Sequence, residues 1–207
     1  MNCRQYFLTV HLFVLIILFE GCSSFSSFES PRVNDAGSLS GMVAYSQSGL
    51  VECNTKVGVG ENFDVGLKFP LLTPILSVHQ AKLFPVTVDV KYQILTQPFY
   101  VAAGLGWNYL REGGLLHEDT ISHSWSPFIL LGSDHVYGGI RFDNIKGSNE
   151  EYKFSNSFSL PGNHQMFSII IGASIGKKYR LVPEILLTTT ENGIRTHLGL
   201  GIELRSE

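Results

Sequence analysis

Apolar and polar residues alternate one by one along most of this chain, and that period of two restricts it to strands with two unlike faces. Over residues 85–96, Val86, Val88, Val90, Tyr92 and Ile94 share one face, and Thr87, Asp89, Lys91 and Gln93 share the other. The same habit recurs over 51–59, 63–69, 99–109, 136–143, 167–176 and 194–205. Residues 42–47 form a weaker first strand, while 125–132 and 179–190 carry apolar residues on both faces. From Leu39 onward no helical period of useful length competes. The pattern predicts an all-β fold: an antiparallel up-and-down β-barrel of about ten strands.

Connection lengths add direction. Short turn signals fall at 60–62, 97–98, 133–134 and 177–178, and longer links at 70–84, 110–120 and 145–165. Two further links, near 47–49 and 191–193, are short. Short turns at one end and longer links at the other are the habit of membrane barrels, and an even strand count puts both chain ends on the short-turn side. Alternation by itself fits either a soluble barrel with its apolar face inward or a membrane barrel with that face outward. Three features favour the second. The polar faces are rich in Gly and small residues, as the inside of a narrow barrel requires. Aromatics on the apolar faces gather in two bands. Phe63, Phe99 and Tyr179 lie beside short turns, and Phe69, Trp107, Tyr109, Trp125, Phe142 and Phe167 lie towards the longer links. Such bands match interfacial girdles. The strands also approach the roughly 9–11 residues of a tilted crossing.

Ahead of the strands lies a segment of another kind. Arg4 precedes an apolar run from Phe7 to Phe19, which ends in Glu20-Gly21-Cys22. A basic start, an apolar run and a small residue before a cut make a secretory signal. The run falls short of the roughly 20 apolar residues of a helical membrane span. With Cys directly after Gly21, the segment resembles a bacterial lipoprotein signal, which implies cleavage before Cys22 and acylation of its thiol and new amine. Phe19 and Glu20 depart from that family's commonest Leu-Ala-Gly-Cys pattern. The stretch KVGVGENFDVGLKF, followed by VTVDVKYQIL, resembles small outer-membrane β-barrel proteins and lipoproteins of bacteria. In these a turn leads to an aspartate–apolar–Gly strand and then to a DxKY strand. That resemblance covers two hairpins and implies architecture rather than activity. The ending Leu204-Arg205-Ser206-Glu207 departs from the terminal aromatic of many such barrels. The expected organisation is a cleavable signal helix over 1–21, a flexible lipid-anchored linker over 22–40 and a β-barrel domain over 41–207. Its expected place is the bacterial outer membrane, held by a lipid on Cys22 and by the barrel's own belt.

Composition narrows the chemistry. Charged residues make up 16% of the chain and leave a net charge of −3, so no nucleic-acid partner is expected. Of the three cysteines, Cys3 leaves with the signal and Cys22 takes the lipid, so Cys53 stands alone. A Cys22–Cys53 disulfide is the alternative. No Cys/His spacing suits zinc, and no Walker loop or Gly-x-Ser-x-Gly elbow occurs, so neither metal nor cofactor is expected. Gly104-Leu105-Gly106 and Gly199-Leu200-Gly201 sit in strands, where barrel packing explains them.

With apolar faces outward, the lumen receives Glu52, Lys56, Asp64, Lys68, Asp89, Lys91, Arg141, Asp143, Glu184, Arg195, His197, Glu203 and Arg205. Charges so enclosed must pair. The expectation is therefore a salt-bridged, plugged lumen, with a narrow solute path as the alternative. His117, Glu118, Asp119, His123 and Ser124 could assemble a catalytic or metal-binding cluster at the rim, but their spacing matches no motif. The links 110–120 and 145–165 carry Asn, Ser, Glu, His and aromatics, and form the expected surface for an extracellular ligand. The expected function is that of an outer-membrane lipoprotein with a structural or surface-interaction role rather than a catalytic one. One alternative is a lipid-anchored soluble barrel that binds an apolar ligand. Another is a rim-active lipid-modifying or proteolytic enzyme.

Overall fold

The computed structural model describes residues 28–46, 51–72, 82–96, 98–114, 117–154, 158–190 and 193–205. The strands are β1 Leu39–Ser46, β2 Val51–Gly60, β3 Phe63–Leu72, β4 Lys82–Leu95, β5 Tyr100–Gly114, β6 His117–Gly132, β7 Val136–Phe154, β8 Phe158–Ala173, β9 Ile175–Gly176, β10 Tyr179–Thr190 and β11 Gly193–Arg205. The two-residue β9 resumes the line of β8 beyond Ser174 and pairs with β10 through Leu181↔Ile175. All pairings are antiparallel, and β11 returns to β1, from Ser40↔Arg205 to Ser46↔Gly199. The sheet therefore closes on itself as an up-and-down barrel of ten strands, with β9 as a small extra.

The faces sort as alternation requires. Val88 (39%), Val90 (36%), Leu198 (38%) and Leu200 (39%) are exposed on the outside, whereas Asp89 and Lys91, between and beside them, are buried at 1% each. The outer surface is a continuous field of Val, Leu and Ile with Tyr92, Phe99 and Tyr179 at the short-turn end and Trp125, Phe142 and Phe167 towards the other. Closure pairs the backbone ladder all the way round the ring, so among the described residues no sheet edge is left open at the level of the belt.

Two expectations change. The segments 110–120 and 145–165 are mostly strand rather than loop. β5 and β6 pair out to Gly114↔His117, and β7 and β8 out to Phe154↔Phe158. Register shifts at Glu112/Gly114 and Lys146/Glu151 interrupt the period of two there while the backbone ladder continues. The long link 70–84 likewise shortens, since β3 reaches Leu72 and β4 begins at Lys82. The second change concerns the two strands with apolar residues on both faces. β6 directs Phe128 and Leu130 inward, and β10 directs Val182 and Leu186 inward. With Met42, Ala44, Tyr137 and Ile170 they make an apolar sector inside the barrel. The expected signal helix, residues 1–21, lies outside the described residues. Among the described residues no helix is long and apolar enough to cross a membrane.

Glycine placement follows from what leans across it. The Tyr137 ring crosses from β7 onto β8 at Gly172, where an added Cβ would lie 2.2 Å from Tyr137 Cζ. Gly172→Val is therefore expected to cost about 1–3 kcal/mol as an overpacked site. Denaturant titration of the detergent-solubilised protein measures that cost, and shortening residue 137 to Ala in the same chain should recover part of it.

Candidate functional site

The site is the lumen, and its centre is a segment that sequence reasoning assigned to the linker. Residues 28–34 are not a free tether; they run inside the ring, and residues 35–37 emerge exposed at the short-turn end. Phe28, Glu29, Pro31, Val33 and Asn34 are all buried. This corrects the flexible linker of 22–40 over its described part. Cys22 itself lies outside the described residues.

The physical reason is an exchange of backbone partners. Buried N–H and C=O groups need hydrogen bonds, and Pro31 has no N–H to offer a ladder. Side chains from the wall supply them instead. The Phe28 amide donates to Glu184 Oε1 at 3.1 Å, and Lys56 Nζ donates to the Phe28 carbonyl at 3.5 Å. Lys91 Nζ donates to the carbonyls of Ser30 (2.9 Å) and Arg32 (3.3 Å). The Val33 amide donates to Gln93 Oε1 at 3.0 Å. Nearer the short-turn end, Arg32 bridges to Asp134 at 3.3 Å, and the Gly37 amide meets the Gly58 carbonyl at 2.8 Å. Arg205 Nη2 donates to Ser30 Oγ at 3.1 Å. At the deepest described point the Phe28 ring covers the apolar sector. An added Cβ on Gly199 would lie 2.4 Å from its Cζ, so only glycine leaves that room.

Glu29 organises the charges. Its carboxylate lies 2.7 Å from Lys68 Nζ and 3.8 Å from Lys56 Nζ. Lys68 is shared with Asp89 at 3.6 Å, and Lys91 pairs with Asp64 at 3.2 Å across the β3–β4 register. The Lys56 and Lys68 ammonium groups offset the cost of enclosing the Glu29 carboxylate. The remaining predicted lumen charges sit on inward faces. Arg141 bonds Asp143 at 2.9 Å, and Arg205 bonds Glu203 at 3.1 Å. Glu184 also accepts from Tyr137 Oη at 3.0 Å. Glu52 is buried on β2, and Arg195 and His197 are half-buried on β11 towards the opposite end.

Beyond the Glu29 cluster a hydrogen-bonded polar layer crosses the wall from β4 to β7. Thr87 Oγ1 donates to Asn108 Oδ1 at 2.7 Å. Asn108 Nδ2 donates to Ser124 Oγ (2.8 Å) and Ser126 Oγ (2.6 Å), and Ser126 continues to Asp143. Ser124 is thus tied into the inner wall, while His123, its neighbour in β6, is exposed on the outer face. The two therefore do not form a Ser–His pair. The side chains of His117, Glu118 and Asp119 lie outside the described residues.

Sequence reasoning missed the residues that enter from the N-terminal side, Phe28, Glu29, Ser30, Arg32, Val33 and Asn34. A signal existed in β6 and β10. Apolar residues on both faces of a barrel strand require something apolar on the inside as well, and Phe28 is that cover.

Fold and interior together define an inside-out β-barrel, charged within and aliphatic without. No protein-family model matches the chain, and no curated protein does. Among solved structures, the chain is similar to the outer membrane protein Ail of Yersinia pestis, seen as a backbone structure in a phospholipid bilayer nanodisc. The identity is 12%, the likeness covers 82% of this chain and 99% of that one, and the TM-score is 0.39.

Removing one member of a buried ion pair strands the other, at about 3–5 kcal/mol. Glu29→Gln and Lys68→Met should each destabilise the barrel by about that amount, and the double substitution should cost clearly less than the sum, read from denaturant titrations in a double-mutant cycle.

Proposed function

We propose that this chain is a bacterial outer-membrane lipoprotein: a small β-barrel spanning the membrane, closed inside by its own N-terminal segment, with a structural or surface-contact role. The observation that carries the reading is the reversal of polarity across the barrel wall. Asp64, Asp89, Lys91 and Asp143 are at most 1% exposed, while Ile129, Ile169, Ile171, Leu131 and Val136 lie open on the outer face. Water as the outer solvent would favour the opposite arrangement on both counts. A hydrocarbon solvent favours this one, and a closed sheet is one of the two backbone forms it admits. A soluble lipid-anchored barrel would need its apolar faces turned to the core.

Lipidation rests on Gly21-Cys22 behind the apolar run, and it agrees with the barrel's polarity. The surface-contact role rests on the β5–β6 and β7–β8 hairpins, which extend past the aromatic residues Trp125, Phe142 and Phe167 at one end of the barrel.

The test is solubility and migration. The chain lacking residues 1–21 should need detergent and should migrate on a denaturing gel at different positions before and after boiling. A monodisperse, detergent-free solution of that chain would sink the membrane reading. Ile169→Arg, on the outer face, should cost about 2–4 kcal/mol in lipid vesicles. Cys22→Ala should abolish labelling by radioactive palmitate yet leave the protein in the outer-membrane fraction, because the barrel holds itself there. Release of that variant into the soluble fraction would favour the lipid-anchored soluble barrel.

A further inference from the structure

The wall and the segment inside it are separable structures. The ring is closed by pairings between wall strands, the β1–β11 ladder included. Residues 28–36 take no part in those ladders; side chains such as Glu184, Lys56, Lys68, Lys91 and Gln93 hold them in place. The space they fill is as wide as a polypeptide with its side chains, which exceeds a hydrated inorganic ion. Its β2–β4 side is polar throughout, from Gln93 and Lys91 at the short-turn end to Lys68 and Asn54. Beyond it the Thr87–Asn108–Ser124–Ser126 layer continues the polar lining.

We infer that the barrel wall is a pore for inorganic ions and small hydrophilic solutes, held shut by residues 28–37. This rests on the membrane-spanning reading given above. The apolar sector beneath Phe28 confines the ion path to the β2–β5 side.

Planar-bilayer conductance tests the inference with three proteins. The first is the full chain. The second lacks residues 28–37. The third is the full chain with a protease site inserted between Gly37 and Ser38. That chain is cut after membrane insertion, washed in high salt and checked by mass spectrometry for loss of the fragment, so its wall assembles with the segment in place. The full chain should be silent. The other two should give discrete ohmic steps. Silence of an inserted wall that has lost the segment would overturn the inference, and so would equal conductance by the full chain. Failure of the full chain to insert at all would overturn the membrane reading instead.

Discussion

Everything else in the structure depends on the pairing of β1 with β11. Until those two strands meet, the sheet has two edges and two open faces, and neither face has an inside. Once Ser40–Ser46 lies against Gly199–Arg205, alternation acquires a meaning that it lacked in the open chain. One face of each strand is then enclosed with the enclosed faces of the others. The charges on it must satisfy one another, because bulk water no longer does.

That requirement explains the character of the lumen. Asp64 and Lys91 stand directly opposite in register, and Arg141–Asp143 and Arg205–Glu203 use the two-residue step of a single strand. Lys56 and Lys68 have a different solution, for their shared anion, Glu29, comes from outside the wall. The segment that brings Glu29 also brings Phe28 to the apolar sector and hands its backbone groups to Glu184, Lys91 and Gln93. One short stretch therefore meets both kinds of demand that the interior makes, ionic on one side and apolar on the other.

Fold and wall were legible in the sequence because a period of two is a property of single strands, and its phase fixes which residues share a face. Val88, Val90, Leu198 and Leu200 could be assigned to one surface and Asp89, Lys91 and Glu203 to the other without any tertiary information. Two things resisted. Strand ends at 110–114 and 145–154 carry register shifts, at Glu112/Gly114 and Lys146/Glu151, that break the phase of the alternation, so they read as loops. Residues 28–37 have no period at all, since their order comes from side chains distant in sequence. Phe28 meets Glu184 across 156 positions and Ser30 meets Arg205 across 175. A Ser-rich stretch beside a signal segment looks like a tether because nothing local in it says otherwise.

The Ser30–Arg205 contact joins the start of the described chain to its last strand, and this bears on assembly. Residues 28–37 precede β1, and β1 and β11 are the strands that seal the ring. The segment is thus made before any wall exists, while the wall is completed only by the last strand to be made. A wall that closes empty can admit the segment only endwise, past Asp134 at the rim. A wall that closes around it gathers lysines from β2, β3 and β4 onto a ready anion. In the second order the segment acts as a mandrel: the barrel is wound on it, and the sealing of the seam records that it was there.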